Sequence, residues 1–249
     1  MLETYREDRY RDILKTPEKC ELLRQIWRDA YGEDYPDDAD PFGFVTVSDL
    51  NSIAAELELA AGSALLDVGC GRGGPGLWIA RKTGCILTGI DILAEAIEQA
   101  NVRKERLGMT NTARFALGTF SNTGMPASSQ QAIMSVDVFW MVLDKAAAIA
   151  EMARILAPGG RLAMTTWTPR EPELAETMHT AGLRVLLWAE TAFWKERQMN
   201  VYRGIMRNRA ELERQMGTLA TAVLVAEARE APARLPAAPR RLIVVERKL

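Results

Sequence analysis

Two carboxylates and a cluster of glycines are the residues of this chain best placed to do chemistry. Asp67 stands near the end of a short apolar run, Ala64-Leu65-Leu66-Asp67-Val68, and Gly69, Gly71, Gly73, Gly74 and Gly76 follow directly. A run of that length followed by glycines reads as a buried parallel strand, a tight turn and the start of a helix. Glycine suits the turn because the chain must reverse sharply and let its backbone approach a ligand where a Cβ would clash. Gly69, Gly71 and Gly74 also satisfy G-x-G-x-x-G, so a nicotinamide-dependent oxidoreductase is one reading of the loop. Asp67 argues against it, because an acid two residues before the first glycine repels a pyrophosphate and suits an ammonium group. A second acid, Asp91, closes the run Cys85-Ile86-Leu87-Thr88-Gly89-Ile90 at a distance that suits a carboxylate accepting from two ribose hydroxyls. An adenosine with an amino-acid tail and no phosphates satisfies both acids.

The sequence D-V-G-C-G-R-G at 67–73, with G-I-D at 89–91, resembles motif I and its acidic partner in class I S-adenosylmethionine-dependent methyltransferases. L-A-P-G-G-R-L at 156–162 looks like the turn before their fifth strand. The likeness covers residues 48–188 and the last strand, and is to the small-molecule, natural-product type of that class. It implies an α/β fold with a doubly wound, mostly parallel sheet of seven strands in the order 3-2-1-4-5-7-6, the last strand antiparallel. It implies S-adenosyl-L-methionine as cofactor and S-adenosyl-L-homocysteine as product, with Gly69, Cys70 and Gly71 against the methionyl part and Asp67 orienting its ammonium. Asp91 would take the ribose, and adenine would lie on Ile92 near Thr119 and Phe120.

The elements that must position these groups can be read along the chain. Residues 1–46 form an N-terminal cap in which Thr16 and Pro17 start a helix with Cys20, Leu23, Ile26, Trp27, Ala30 and Tyr31 on one face. The acidic stretch to Phe44 is an irregular loop. Thr46 to Asp49 fits a capping box that opens a helix with Leu50, Ile53, Ala54 and Leu57 inward. The core, 47–189, alternates strands and helices: a helix over Leu93–Leu107, strands over Ala113–Leu117 and Gln131–Val136, a helix facing inward with Ala148, Ile149, Met152 and Ile155, and a strand over Arg161–Trp167. A helix over Pro172–Gly182 and a strand over Leu183–Trp188 complete it. Such alternation implies a parallel sheet with right-handed crossovers. Residues 190–239 form a helical lid insertion with Met199, Tyr202, Met206 and Leu212 on one side and a loop from Ala231, and 240–249 supply the last strand.

In an open α/β sheet the ligand lies at the carboxyl ends of the strands, beside the switch in strand order. That crevice would gather Asp67 to Gly73, Asp91 and Ile92, Gly118 to Phe120, and Ser135 and Val136 through Met141. On the acceptor side Tyr31, Trp140, Met141, Trp167, Trp194 and Tyr202 could wall an apolar pocket for an aromatic or natural-product-like molecule, or pack the insertion onto the sheet. Two departures from the family pattern bear on chemistry. Thr119 stands where many members carry an acid for the adenine amino group. Phe139-Trp140-Met141 stands where many carry a histidine as base. His179, the only histidine, falls on the far side of the sheet, and Tyr31, Tyr35, Asp37 and Asp38 are solvated or structural unless one is a base. No catalytic residue is assigned, and positioning would suffice for an acceptor that is already nucleophilic.

Composition narrows the partners. With 249 residues, 48% of them hydrophobic, the chain can bury a proper core. A net charge of −2 without charge runs offers no footprint for nucleic acid or an anionic membrane, which leaves a small-molecule substrate. No apolar stretch approaches a membrane span, so a cytoplasmic location is expected. Cys20, Cys70 and Cys85 lack metal spacing and are expected as reduced thiols, with no metal bound. The alternatives to methyl transfer are an S-adenosylmethionine-binding protein that does not transfer, and the oxidoreductase; oligomeric state is open.

Overall fold

The structure, a computed structural model, describes residues 20–168 and 172–248. Seven strands form one sheet in the order β3-β2-β1-β4-β5-β7-β6. They are β1 (Ala64–Val68), β2 (Ile86–Asp91), β3 (Ala113–Leu117), β4 (Gln130–Val136), β5 (Leu156–Trp167), β6 (Leu183–Glu190) and β7 (Arg240–Arg247). β7 runs antiparallel to both β5 and β6, and all other pairings are parallel. The doubly wound sheet expected from the sequence is present.

Side chains alternate across β1, and that alternation builds the two faces. Leu65 joins the core under α2 (Val47–Glu56), α3 (Gly74–Thr83) and α4 (Ala94–Arg106), with Leu50, Ile53, Leu77 and Ile97. Leu66 and Val68 join the opposite core under α5 (Lys145–Ile155) and α6 (Pro172–Thr180), with Ile149, Met152 and Met178. The capping box of α2 forms as expected: the Asp49 amide donates to Thr46 Oγ1 at 2.9 Å and the Thr46 amide to Asp49 Oδ2 at 3.2 Å. His179 lies exposed on α6.

A third apolar cluster lies outside the sheet, where α1 (Glu21–Tyr31) meets α7 (Trp194–Arg207), α8 (Arg209–Met216) and α9 (Thr218–Arg234). Leu23, Ile26 and Trp27 pack on Val201, Tyr202 and Ile205. Gly204 lets α1 and α7 close up, since a Cβ there would stand 2.6 Å from Ile26.

The helix start expected at Thr16 and Pro17 lies outside the described residues, and three other boundaries and faces differ from expectation. β5 begins at Leu156, which already pairs with Gln130 before a register shift at the Pro-Gly-Gly turn, rather than at Arg161. α9 continues through Pro232 to Arg234, because a proline in the final turn forfeits one helical bond only. The buried face of α7 is Gln198, Val201, Tyr202 and Ile205; it is rotated from the predicted one, and Met206 is exposed.

Arg240, at the start of β7, is buried to 1% exposure and ties distant segments together. Its Nε donates to Asp137 Oδ1 at 2.8 Å, and one terminal nitrogen donates to Asp49 Oδ2 at 2.7 Å and Thr191 Oγ1 at 3.0 Å. Asp137 Oδ1 also accepts from Thr165 Oγ1 at 2.9 Å, and its Oδ2 from the Phe44 amide at 2.7 Å. Removing the cation leaves two buried carboxylates uncompensated. Arg240→Ala is therefore expected to lower unfolding free energy in urea by about 3–5 kcal/mol. A loss below about 1 kcal/mol would show that the network is dispensable for stability.

Candidate functional site

At the carboxyl ends of β1, β2 and β4 the chain encloses a cavity of about 440 Å³. One end is built from the glycine loop. Gly69 and Gly71 adopt φ of +73° and +52°, in the left-handed region that suits glycine. A Cβ on Gly69 would stand 2.7 Å from Val138, whereas one on Gly71 would meet nothing within 4 Å and would project into open space. The amides of Gly69 and Cys70 both donate to the Ile90 carbonyl, at 2.8 and 3.0 Å. Asp91 holds the loop from below: Oδ2 accepts from the Gly71 amide at 2.9 Å and Oδ1 from the Leu93 amide at 3.0 Å.

Asp67 lies on the same face of β1 as Leu65, at 1% exposure, pressed against the first turn of α3. Gly76 permits this approach, as a Cβ there would be 2.6 Å from Asp67 Oδ2. That oxygen is buried without a hydrogen-bond partner, and the residue lines the cavity. Burial and then the nearby Asp91 charge push its carboxyl up to about 7, opposed by the hydrogen bond from the Gly76 amide. Burial likewise raises Asp91, and it raises the Cys70 thiol well above its ordinary range. Two desolvated acids facing one cavity favour a cationic or hydroxyl-bearing guest.

The opposite end is aromatic. Phe44 stacks on Trp27 at 5.9 Å and meets the edges of Trp167 and Tyr202 at 5.7 and 5.8 Å. Trp140 and Trp167 meet edge to face at 6.2 Å. Residues 139–141 form a single tight helical turn after β4, and Trp140 Nε1 donates to the Asp137 carbonyl at 3.0 Å. Phe139 turns inward to pack on Phe120 at 5.7 Å. Ile92, 47% exposed, forms part of the wall beside Thr119 and Phe120. The Thr119 hydroxyl accepts from the Asn122 amide at 3.0 Å and so braces its own turn.

Of the residues singled out from sequence, Asp67, Gly69, Cys70, Gly71, Asp91, Ile92, Thr119, Phe120 and Val136 line this cavity, as do Trp140, Met141, Trp167 and Tyr202. Four others do not reach it. Gly73 lies against Phe115, where a Cβ would come within 2.7 Å, so it serves the packing of the loop on β3. Ser135, alternating with Val136 on β4, points into the sheet's interior at 1% exposure. Tyr31 stands one layer behind, donating to the Phe44 carbonyl at 3.3 Å. Trp194 faces a separate outer cleft with Phe193 and Met199.

Sequence reasoning assigned no role to three contributors, although Arg72 and Asp137 lie within the stretches it placed around the crevice. Arg72 follows the glycine loop, 8% exposed, with its guanidinium 4.4 Å over the Phe42 ring. Its place within D-V-G-C-G-R-G was signal enough. Asp137, which directs Phe44 into the cavity wall, has a left-handed φ of +60° that no sequence pattern announces. Glu227 on α9 lines the aromatic end and accepts from Tyr202 Oη at 3.0 Å.

Asp67 has a measurable signature. Its folded pKa near 7 exceeds the ordinary 3.8, so between those values the folded chain holds a proton that the unfolded chain releases. Stability from this group is therefore highest at low pH and falls as pH rises to 7. Asp67→Asn removes that slope. Its advantage in Tm over the parent should grow as pH rises from 3.8 to about 7 in thermal unfolding, and an advantage independent of pH would contradict the assignment.

Residues 66–164 match a family described as a methyltransferase domain. The methyltransferase GfsG of Streptomyces halstedii is 32% identical over 147 residues, 58% of this chain and 53% of that protein. The chain spans about half the length of the curated relatives it matches. Among solved structures, the [4+2]-cyclase SpnF has a TM-score of 0.74 at 19% identity, covering 92% of this chain and 93% of its own. The geranyl diphosphate C-methyltransferase of Streptomyces coelicolor A3(2), in complex with Mg2+, geranyl diphosphate and S-adenosyl-L-homocysteine, has a TM-score of 0.61 at 17% identity, covering 92% and 99%. Both show the same fold. Residues 66–164 thus match the methyltransferase domain family on a seven-stranded sheet that carries the glycine loop.

Proposed function

We propose that this protein transfers a methyl group from S-adenosyl-L-methionine to a small organic acceptor with aromatic or natural-product-like character. One observation carries the reading: two desolvated acids, joined through a glycine loop, face a cavity whose other end is walled by aromatic rings. The matches to methyltransferases support it, among them a 27-O-demethylrifamycin SV methyltransferase and a squalene methyltransferase.

The residues present fit the cofactor. The partnerless Asp67 Oδ2 offers a charge to the ammonium of an amino-acid tail, and Arg72 beside the same loop offers one to its carboxylate. The open space over Gly71 admits the tail. Asp91, already oriented by two backbone amides, is set to accept from ribose hydroxyls. Ile92 and Phe120 supply apolar surface for a purine. When bound, the cofactor supplies an electrophilic methyl carbon on a sulfonium. The protein's own task is to exclude water and hold the acceptor's nucleophile about 3–3.5 Å from that carbon and in line with the breaking bond. Phe44, Trp140, Trp167 and Tyr202 do this by shape, and residues 20–46 with α7 to α9 act as the cap and lid that close over the acceptor.

S-adenosyl-L-homocysteine is expected to bind in titration calorimetry while NAD does not; the reverse would overturn the proposal. Asp91→Ala should weaken that binding by about 1.5–3 kcal/mol through loss of charge-assisted hydrogen bonds. An unchanged dissociation constant would place the ribose elsewhere. Incubation with methyl-labelled cofactor and a panel of candidate acceptors should put label into an acceptor.

A further inference from the structure

Asp67 carries its carboxyl group in surroundings that do little to stabilise a negative charge. On β1 it pairs with Gly89 of β2 and Met134 of β4, and neither brings a polar side chain. The first turn of α3, Gly74-Pro75-Gly76, lies against it and supplies one hydrogen bond, from the Gly76 amide. Its Oδ2 is left without a partner at 1% exposure, while the residue forms part of the cavity wall. A carboxyl group so far from water takes up a proton rather than hold an uncompensated charge.

The ionisable groups around Asp67 supply no counter-charge. Asp91, at the end of β2, is a second acid, and its charge acts against the ionisation of Asp67. The Cys70 thiol in the loop is pushed well above its ordinary range by burial and stays neutral. The guanidinium of Arg72 lies 4.4 Å over the Phe42 ring. Arg103, which reaches over from α4, donates to the Ala39 carbonyl at 2.5 Å and faces Asp40 at 3.7 Å. Among the described residues no cation forms an ion pair with Asp67. His179, the one histidine, is exposed on α6 across the sheet.

We propose that Asp67 couples capture of the cofactor to release of a proton: the empty site holds the neutral acid, and the ammonium of an incoming amino-acid tail displaces that proton to solvent. This rests on the reading of the cavity as the S-adenosyl-L-methionine site. The step balances. The O–H bond of Asp67 breaks, its electron pair stays on the carboxylate, the proton passes to water, and the ammonium keeps its three hydrogens and becomes the missing counter-charge. A ligand without the ammonium leaves Asp67 protonated. Affinity for tailed ligands therefore rises with pH, and affinity for an untailed nucleoside does not. With the carboxyl pushed up to about 7, each pH unit below that value weakens tailed ligands by up to about tenfold.

The test is titration calorimetry with S-adenosyl-L-homocysteine at pH 8 and pH 6, each in two buffers of different ionisation enthalpy, which reads affinity and proton release together. The dissociation constant should rise about tenfold from pH 8 to pH 6, with about one proton released per ligand at pH 6 and less than about 0.2 at pH 8. Asp67→Asn, which cannot ionise, should bind more weakly than the parent at pH 8 and equally at both pH values. If that variant does not fold, 5′-methylthioadenosine carries the control in the parent: it keeps the ribose, lacks the tail, and should bind without releasing a proton. Release with 5′-methylthioadenosine would assign the proton to Asp91 and overturn the inference. Equal affinity for S-adenosyl-L-homocysteine at pH 6 and pH 8, or proton release that survives in Asp67→Asn, would overturn it as well. Absence of S-adenosyl-L-homocysteine binding at pH 8 would instead sink the cofactor reading on which the inference rests.

Discussion

The arrangement of the site depends on one buried cation. Arg240 brings a guanidinium to 1% exposure between Asp49 and Asp137, and taking those charges out of water is costly. The cost is borne because each partner belongs to a different part of the chain. Asp49 is the reciprocal half of the α2 capping box, Asp137 follows β4, and Thr191 follows β6. The network is well supplied with donors: the Thr46 and Phe44 amides and the Thr165 hydroxyl all point at its oxygens. It also pins Asp137 in a left-handed backbone conformation, with its amide donating to the Thr165 carbonyl at 2.8 Å. A non-glycine residue stays in that region only when its surroundings determine it.

Through Asp137 this constraint reaches the cavity. The carboxylate holds the Phe44 amide, and Gly43 makes the approach possible, since a Cβ there would sit 2.6 Å from Asp137 Oδ2. Phe44 is the centre of the aromatic end, in contact with Trp27, Trp167 and Tyr202. α1, β5 and α7 therefore meet at one ring. The two ends of the cavity differ in kind as a result. Backbone amides and consecutive residues of one loop build the end with Asp67 and Asp91. Side chains from α1, β5, α7 and α9 build the other, gathered around Phe44, whose amide donates to Asp137. A fold shared by a [4+2]-cyclase and by methyltransferases carries no chemistry by itself. Under the proposed function, what this chain does to an acceptor is decided at the second end.

The glycine loop could be read from residue order because its contacts are local. The sequence grouped Asp67, the loop glycines and Asp91 around one crevice, and the 2.9 Å bond from the Gly71 amide to Asp91 joins them. Errors arose where an interaction was not local. Gly73 looked like part of the cradle but answers to Phe115 on β3. Ser135 and Val136 were grouped as neighbours, and the two-residue period of a strand sends them to opposite sides. Tyr31 and Trp194 had the right chemistry for a pocket wall; the rotation of α1 and the turn before α7 placed one behind Phe44 and the other outside.

By itself, then, the sequence determined the order and type of the core elements, the glycine loop and its two acids, and the absence of a histidine from the turn after β4. Each of these follows from periodicity, backbone conformation or a motif spanning a few residues, where position in the chain is nearly position in space. Tertiary structure alone decided the pairing of Arg240 with Asp49 and Asp137, separated from it by 191 and 103 positions, and the hydrogen bonds that link Trp167 through Gln198 and Tyr202 to Glu227 across β5, α7 and α9. The partners in those contacts are chosen by desolvation and hydrogen-bond satisfaction inside a packed interior. No local pattern records which buried group will satisfy which.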